Sequence, residues 1–149
     1  MADTMQFDLV SPERNLVSVP VREVRLPGAE GDLTAMPGHA PAIVNLRPGV
    51  VTVVAGDGSE TEFAVTGGFA EINNESVTLL AERGHPRAEM TQEIYNEMLA
   101  QAQRRVEVAK ERSSTTGEEI VAAAVKLLAD MEALGTRIGL DPNQSNFPH

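Results

Sequence analysis

The chain has 149 residues, enough for one compact domain or a domain with an appendage, and sets 12 basic against 22 acidic residues for a formal net charge of −10. A field of that sign repels nucleic acid and anionic lipid and favours docking onto basic protein surfaces. With no cysteine and 3% aromatic residues, disulfides and thiolate metal sites are excluded, and a small-molecule cleft, usually built with more aromatic surface, is disfavoured.

The first residues, MADTMQFDLV, carry neither a basic segment followed by an apolar run nor an Arg-rich amphipathic presequence, so no targeting segment is expected. No apolar run approaches the ~20 residues of a spanning helix, so direct membrane insertion is not expected and the protein is expected to be cytosolic. Short strands follow at 6–10, 16–19, 21–26, 33–36, 42–46, 50–55, 60–65, 69–72 and 77–81. Pro27-Gly28 and Pro37-Gly38 punctuate the chain on either side of the strand at 33–36. Gly56-Asp57-Gly58 and Asn73-Asn74 read as hairpin turns. Nine or ten evenly spaced short strands predict a sandwich or barrel.

The pattern changes at Arg83-Gly84-His85-Pro86. Beyond it Ile94, Met98, Ala102, Val106 and Ala109 recur at spacings of three or four, predicting a helix over 91–112, ~33 Å long at the standard rise. Residues 113–117 interrupt it, and Thr116 with Glu119 forms a capping-box signature for a second helix. Its seam is Ile120, Ala124, Leu127, Met131, Leu134 and Ile138, and Gly139 and Pro142 end it. Two amphipathic helices joined by a short turn predict an antiparallel hairpin. The domain reading is therefore a β unit over 1–85, a helix-turn-helix over 86–140, and a polar tail over 141–149 that is expected to be disordered.

Three groups of residues bear on chemistry. Glu30-Gly31-Asp32 is a solvated acidic turn in the plain reading, worth ~0–1 kcal/mol in any exposed ion pair. His39 is expected to make a structural hydrogen bond in its turn; a lone histidine rarely completes a catalytic or metal site. His85 and Glu89 are four apart, but Pro86 argues against a helix through them, and His149 lies on the tail. No zinc spacing, dinucleotide fingerprint or Walker motif is present; Gly67-Gly68 reads as a close backbone approach or bulge. No catalytic residue, metal or cofactor is expected.

Taken in order, LPGAEGDLTAMPGHAP (26–41), NLRPGVV (45–51) and AVTGGFAEINNESVTLLAE (64–82) resemble the epsilon subunit of bacterial F-type ATP synthases, the counterpart of the mitochondrial delta subunit. The resemblance extends through the helical hairpin. It implies a flattened N-terminal β-sandwich of about ten strands and a C-terminal antiparallel α-helical hairpin. It further implies a non-catalytic rotor subunit of the central stalk of a proton-translocating synthase, joining the gamma subunit to the c-ring. Such a subunit is held peripherally by the complex at the cytoplasmic face of the bacterial inner membrane. On this resemblance Glu30, Gly31, Asp32 and His39 fall at the c-ring and gamma interface, with basic c-ring loops opposite the acids. The family's nucleotide motif, hydrophobe-Asp-x-x-Arg-Ala, aligns with Tyr95 to Ala100, where Asn96 and Leu99 replace its acid and its arginine. No nucleotide site is therefore expected. The alternative implied by the family is an inhibitor of hydrolysis whose hairpin extends to touch the alpha and beta subunits. That hairpin would meet an acidic beta segment, and the second helix here carries Lys126 and Arg137 against Glu118, Glu119, Asp130 and Glu132, which disfavours strong inhibition.

Overall fold

The computed structural model describes residues 4–111 and 118–140. The chain divides into two compact units, Met1–Glu89 and Met90–His149. The interruption at 113–117 with its capping residue Thr116, and the tail expectation, lie outside the described residues.

The first unit is a ten-stranded sheet folded into a sandwich. Its strands are β1 (Met5–Val10), β2 (Asn15–Val21), β3 (Glu23–Gly28), β4 (Gly31–Ala35), β5 (Ala42–Leu46), β6 (Gly49–Val54), β7 (Glu60–Val65), β8 (Gly68–Ile72), β9 (Ser76–Ala81) and β10 (Gly84–Pro86). The order is β10-β7-β6-β3-β5-β8-β9-β1-β2, with β4 paired to β3. All pairings are antiparallel except β1 with β9. The two halves of this order meet through a single residue pair, Gly28 with Leu46, which makes that junction the corner of the sandwich.

Period-two alternation builds the core. Met5, Phe7 and Leu9 of β1 are buried with Val24 and Leu26, Val51 and Val53, Phe63 and Val65, Ala70 and Ile72, and Val77 and Leu79. Burying each of the larger side chains contributes ~1.5–3 kcal/mol. Strand β6 is buried along its whole length, Thr52 included. The β6–β7 turn is closed by Asp57, whose Oδ1 accepts from the Ser59 amide (2.9 Å) and hydroxyl (2.7 Å). Those bonds hold its carboxyl below the ordinary carboxylate range.

The sequence pattern does not show β10. Gly84, His85 and Pro86 pair with Val65, Ala64 and Phe63, so the segment where the pattern changes is the edge strand of the sheet. Proline is compatible with that position because an edge strand leaves one row of amides unused.

The second unit holds α1 (Gln92–Glu111) and α2 (Glu118–Arg137). Thr91 caps α1, its Oγ1 accepting from the Ile94 amide at 3.1 Å. The α2 terminus is a Schellman motif: Leu140 N–H donates to Gly135 O (2.7 Å) and Gly139 N–H to Thr136 O (3.3 Å), with Gly139 at φ 82°. The helices run antiparallel, since the Tyr95 hydroxyl donates to the Met131 carbonyl at 2.9 Å while Val108 and Ala109 share a groove with Ile120 and Ala124. Tyr95 is fully buried, and a methyl on Gly135 would lie 2.1 Å from Tyr95 Cζ and 2.2 Å from its hydroxyl. The absence of a side chain at Gly135 is what lets the ring lie against α2.

Candidate functional site

The acidic turn is built by the β3–β4 hairpin. Gly28 pairs with Gly31, so Ala29 and Glu30 form a two-residue connection of the tight kind that joins antiparallel strands. Gly31 has φ 142°, a backbone state that side chains disfavour. A methyl on Gly28 would sit 2.4 Å from the Gly31 carbonyl oxygen, so the turn closes only with glycine there. The turn is fastened to β5 by the Ala29 N–H bond to Asn45 O (2.8 Å), and Arg47 N–H donates to Pro27 O (3.0 Å).

Within this frame the two acids differ. Asp32 Oδ1 accepts from Arg47 Nη2 at 2.5 Å, and Arg47 Nη1 donates to the Gly28 carbonyl at 2.5 Å. One guanidinium thus clasps both arms of the hairpin. The Arg47 side chain is 27% exposed against 67% for Asp32, so the cation is tucked beneath the carboxylate. Glu30 is exposed at the tip, and among the described residues it has no hydrogen bond or ion pair. Arg47 was not singled out by sequence reasoning: it is 15 residues from Asp32, and nothing local links them.

His39 lies elsewhere, in the connection ahead of β5. Gly38 N–H donates to Asn74 O (2.8 Å) and His39 N–H to Met36 O (3.1 Å), which pins the Pro37-Gly38 turn to the β8–β9 turn. The His39 Nδ1 is 2.6 Å from the Ala40 carbonyl oxygen. The acidic turn and His39 therefore sit at the two ends of β5 and do not form one constellation. Between them Ile43 is 74% exposed.

An apolar row runs across β8, β9 and β1. Register places Asn45 beside Phe69, Phe69 beside Leu80, and Leu80 beside Val10. Phe69 and Leu80 are each 40% exposed, and with Val10 and Pro12 they line a shallow groove. In β8 Ala70 and Ile72 are buried, so Phe69, alternating with them, points outward. Gly68, at the head of this row, has φ 122°, and a methyl there would meet Leu80 O at 2.0 Å; the glycine pair is a close backbone approach.

On α1, Asn96 Oδ1 accepts from Gln92 Nε2 at 2.9 Å, and Leu99 is 2% exposed. A buried leucine offers a phosphate no cation at the position where the resemblance implies an arginine. His85 lies in β10 and Glu89 in the following 3-10 turn, where Glu89 pairs with Arg14 at 3.5 Å. Among the described residues no three His, Asp or Glu side chains gather as metal ligands, and no helix is long and apolar enough to cross a membrane.

Residues 4–86 match the family described as ATP synthase, Delta/Epsilon chain, beta-sandwich domain. The chain is 91% identical over its full length to the full-length protein of Paracoccus denitrificans (strain Pd 1222) named ATP synthase epsilon chain. A Rhodobacter capsulatus protein of the same name is 60% identical over 94% of this chain and 100% of its own. A chain in the cryo-EM structure of the Euglena gracilis mitochondrial ATP synthase, OSCP/F1/c-ring in rotational state 1, superposes with a TM-score of 0.67 at 20% identity. It covers 93% of this chain and 83% of that one, and shares its fold. A sandwich over the matched residues, an acid-tipped hairpin at its corner and a full-length identity of 91% together place the chain in the delta/epsilon chain family of ATP synthases.

Proposed function

We propose that the chain is a non-catalytic rotor subunit of the central stalk, joining the gamma subunit to the c-ring and passing rotation between them. It is held peripherally at the cytoplasmic face of the inner membrane by these partners. The observation that carries the reading is the β3–β4 turn: a rigid, exposed tip bearing a free carboxylate, on a chain of this family. A basic loop of the c-ring is its electrostatic complement. The apolar row of Phe69 and Leu80, with exposed Ile43 on the neighbouring strand β5, suits a second, drier contact, which we assign to gamma. A contact of this kind, with apolar anchors and a polar rim, transmits torque without chemistry. The charge of −10 steers the chain toward basic protein surfaces and away from anionic lipid.

The test is Glu30→Lys with Asp32→Lys in a synthase reassembled in vesicles. The variant should fold, bind gamma, and couple proton flow to ATP synthesis poorly, because attraction to basic loops becomes repulsion. Proton-driven synthesis at the wild-type rate would overturn the reading.

A further inference from the structure

We infer that Arg47 is the positioning residue of the docking turn, and that Glu30 alone supplies the charge its partner reads, with Asp32 serving as part of the clasp. The inference rests on the proposed docking role and assigns its chemistry residue by residue.

The geometry separates the two acids. Arg47 reaches the Gly28 carbonyl on β3 and the Asp32 carboxylate on β4, each at 2.5 Å, across the mouth of a connection only two residues long. A planar guanidinium with several fixed donors can hold two acceptors on different strands at once; a lysine ammonium, a point charge on a flexible stem, fixes such a geometry less well. Arg47 is itself held in place, because its amide donates to Pro27 O and a methyl on the neighbouring Gly49 would lie 2.7 Å from Pro27 Cβ. The chain around Pro27 and Gly49 is therefore packed against the base of the same hairpin. Electrostatically, the Arg47 cation offsets the Asp32 anion at contact distance. The turn then presents one uncompensated negative charge, on Glu30, at a place fixed by the clasp. A basic loop approaching the tip meets Glu30 as a free acceptor and Asp32 as one whose Oδ1 is already taken.

The discriminating variants keep or remove the clasp independently of charge. In Asp32→Asn the amide oxygen still accepts from Arg47 while the charge is gone; Asp32→Ala removes both. The assay titrates each full-length variant into synthase depleted of this subunit, reading coupled ATP synthesis against added chain at two salt concentrations. Amide relaxation of Ala29 to Gly31 is measured in the isolated chain. Expected are a rise of about three-fold in half-saturating concentration for Glu30→Gln, with flattened salt dependence, and less than two-fold for Asp32→Asn. Asp32→Ala and Arg47→Ala should resemble each other, raising both the half-saturating concentration and the mobility of the turn, and Arg47→Lys should recover only part of the loss. An Asp32→Asn defect as large as that of Glu30→Gln, or unchanged mobility of the turn in Arg47→Ala, would overturn the assignment while leaving the docking role standing. Wild-type coupling in the Glu30→Lys, Asp32→Lys double variant would instead remove the docking role itself.

Discussion

Gly135→Ala offers a sharp test of how the helical hairpin is held. On an exposed helix this change would stabilise by about 0.8–1 kcal/mol, because alanine loses less backbone entropy. Here the new methyl would lie 2.1 Å, 2.2 Å and 2.6 Å from Tyr95 Cζ, Oη and Cε2. The ring is fully buried and its hydroxyl donates to Met131 O, so it cannot swing into solvent. Overpacking of this kind costs about 1–3 kcal/mol, and losing the buried hydrogen bond adds about 0.5–1.5 kcal/mol. The expected net effect is a destabilisation of about 1–3 kcal/mol, against the propensity gain. Urea titration of the full-length chain, followed by helical circular dichroism, measures it. The same change in a Tyr95→Leu background should reverse sign, since the three clashing atoms lie beyond the reach of leucine, giving a coupling of about 2–4 kcal/mol between the positions. Stabilisation by Gly135→Ala with Tyr95 intact would refute the reasoning.

Residues 1–89 should fold alone and melt cooperatively, whereas a fragment ending at Glu82 should melt several degrees lower. The shorter piece loses β10 and uncovers the edge of β7 at Phe63, Ala64 and Val65; for a domain of this size ~1 kcal/mol corresponds to ~4–8 °C. His85 should make the sandwich acid-sensitive. Burial first, then the Arg83 and Arg14 cations, outweigh Glu89 and Glu13 and hold its pKa below the ordinary 6.5, so the unfolded chain protonates first as pH falls. The stability tied to neutral His85 is therefore full above pH 6.5 and drains away below it. His85→Gln should flatten that decline in urea titrations between neutral and mildly acidic pH, and an unchanged slope would count against it. Isothermal titration of the isolated chain with Mg-ATP should show no saturable binding up to millimolar levels, because Leu99 is buried and supplies no cation and the chain carries a net charge of −10; a saturable isotherm would show a phosphate site of another design.

The sequence by itself determined the elements whose cause is local. A spacing of three or four placed the helices within a residue or two of Gln92–Glu111 and Glu118–Arg137, because helical side chains segregate with that period whatever they later touch. Alternation and turn glycines marked nine strands for the same reason. The chemistry of the β3–β4 turn was legible only as two acids beside a glycine. That Asp32 is clasped and Glu30 is free depends on Arg47 arriving from the turn just past β5, a placement fixed by the Gly28–Leu46 register at the sandwich corner. Likewise β10 has too few residues to show a period and exists because β7 offers it an edge. Which face of β8 bears Phe69 was decided by what the opposite layer buries, and Gly135 gains its meaning from Tyr95, 40 residues earlier in the chain. Local periodicity is written along the chain, whereas contacts between distant residues follow from strand register and helix docking, which no short stretch of residues specifies alone.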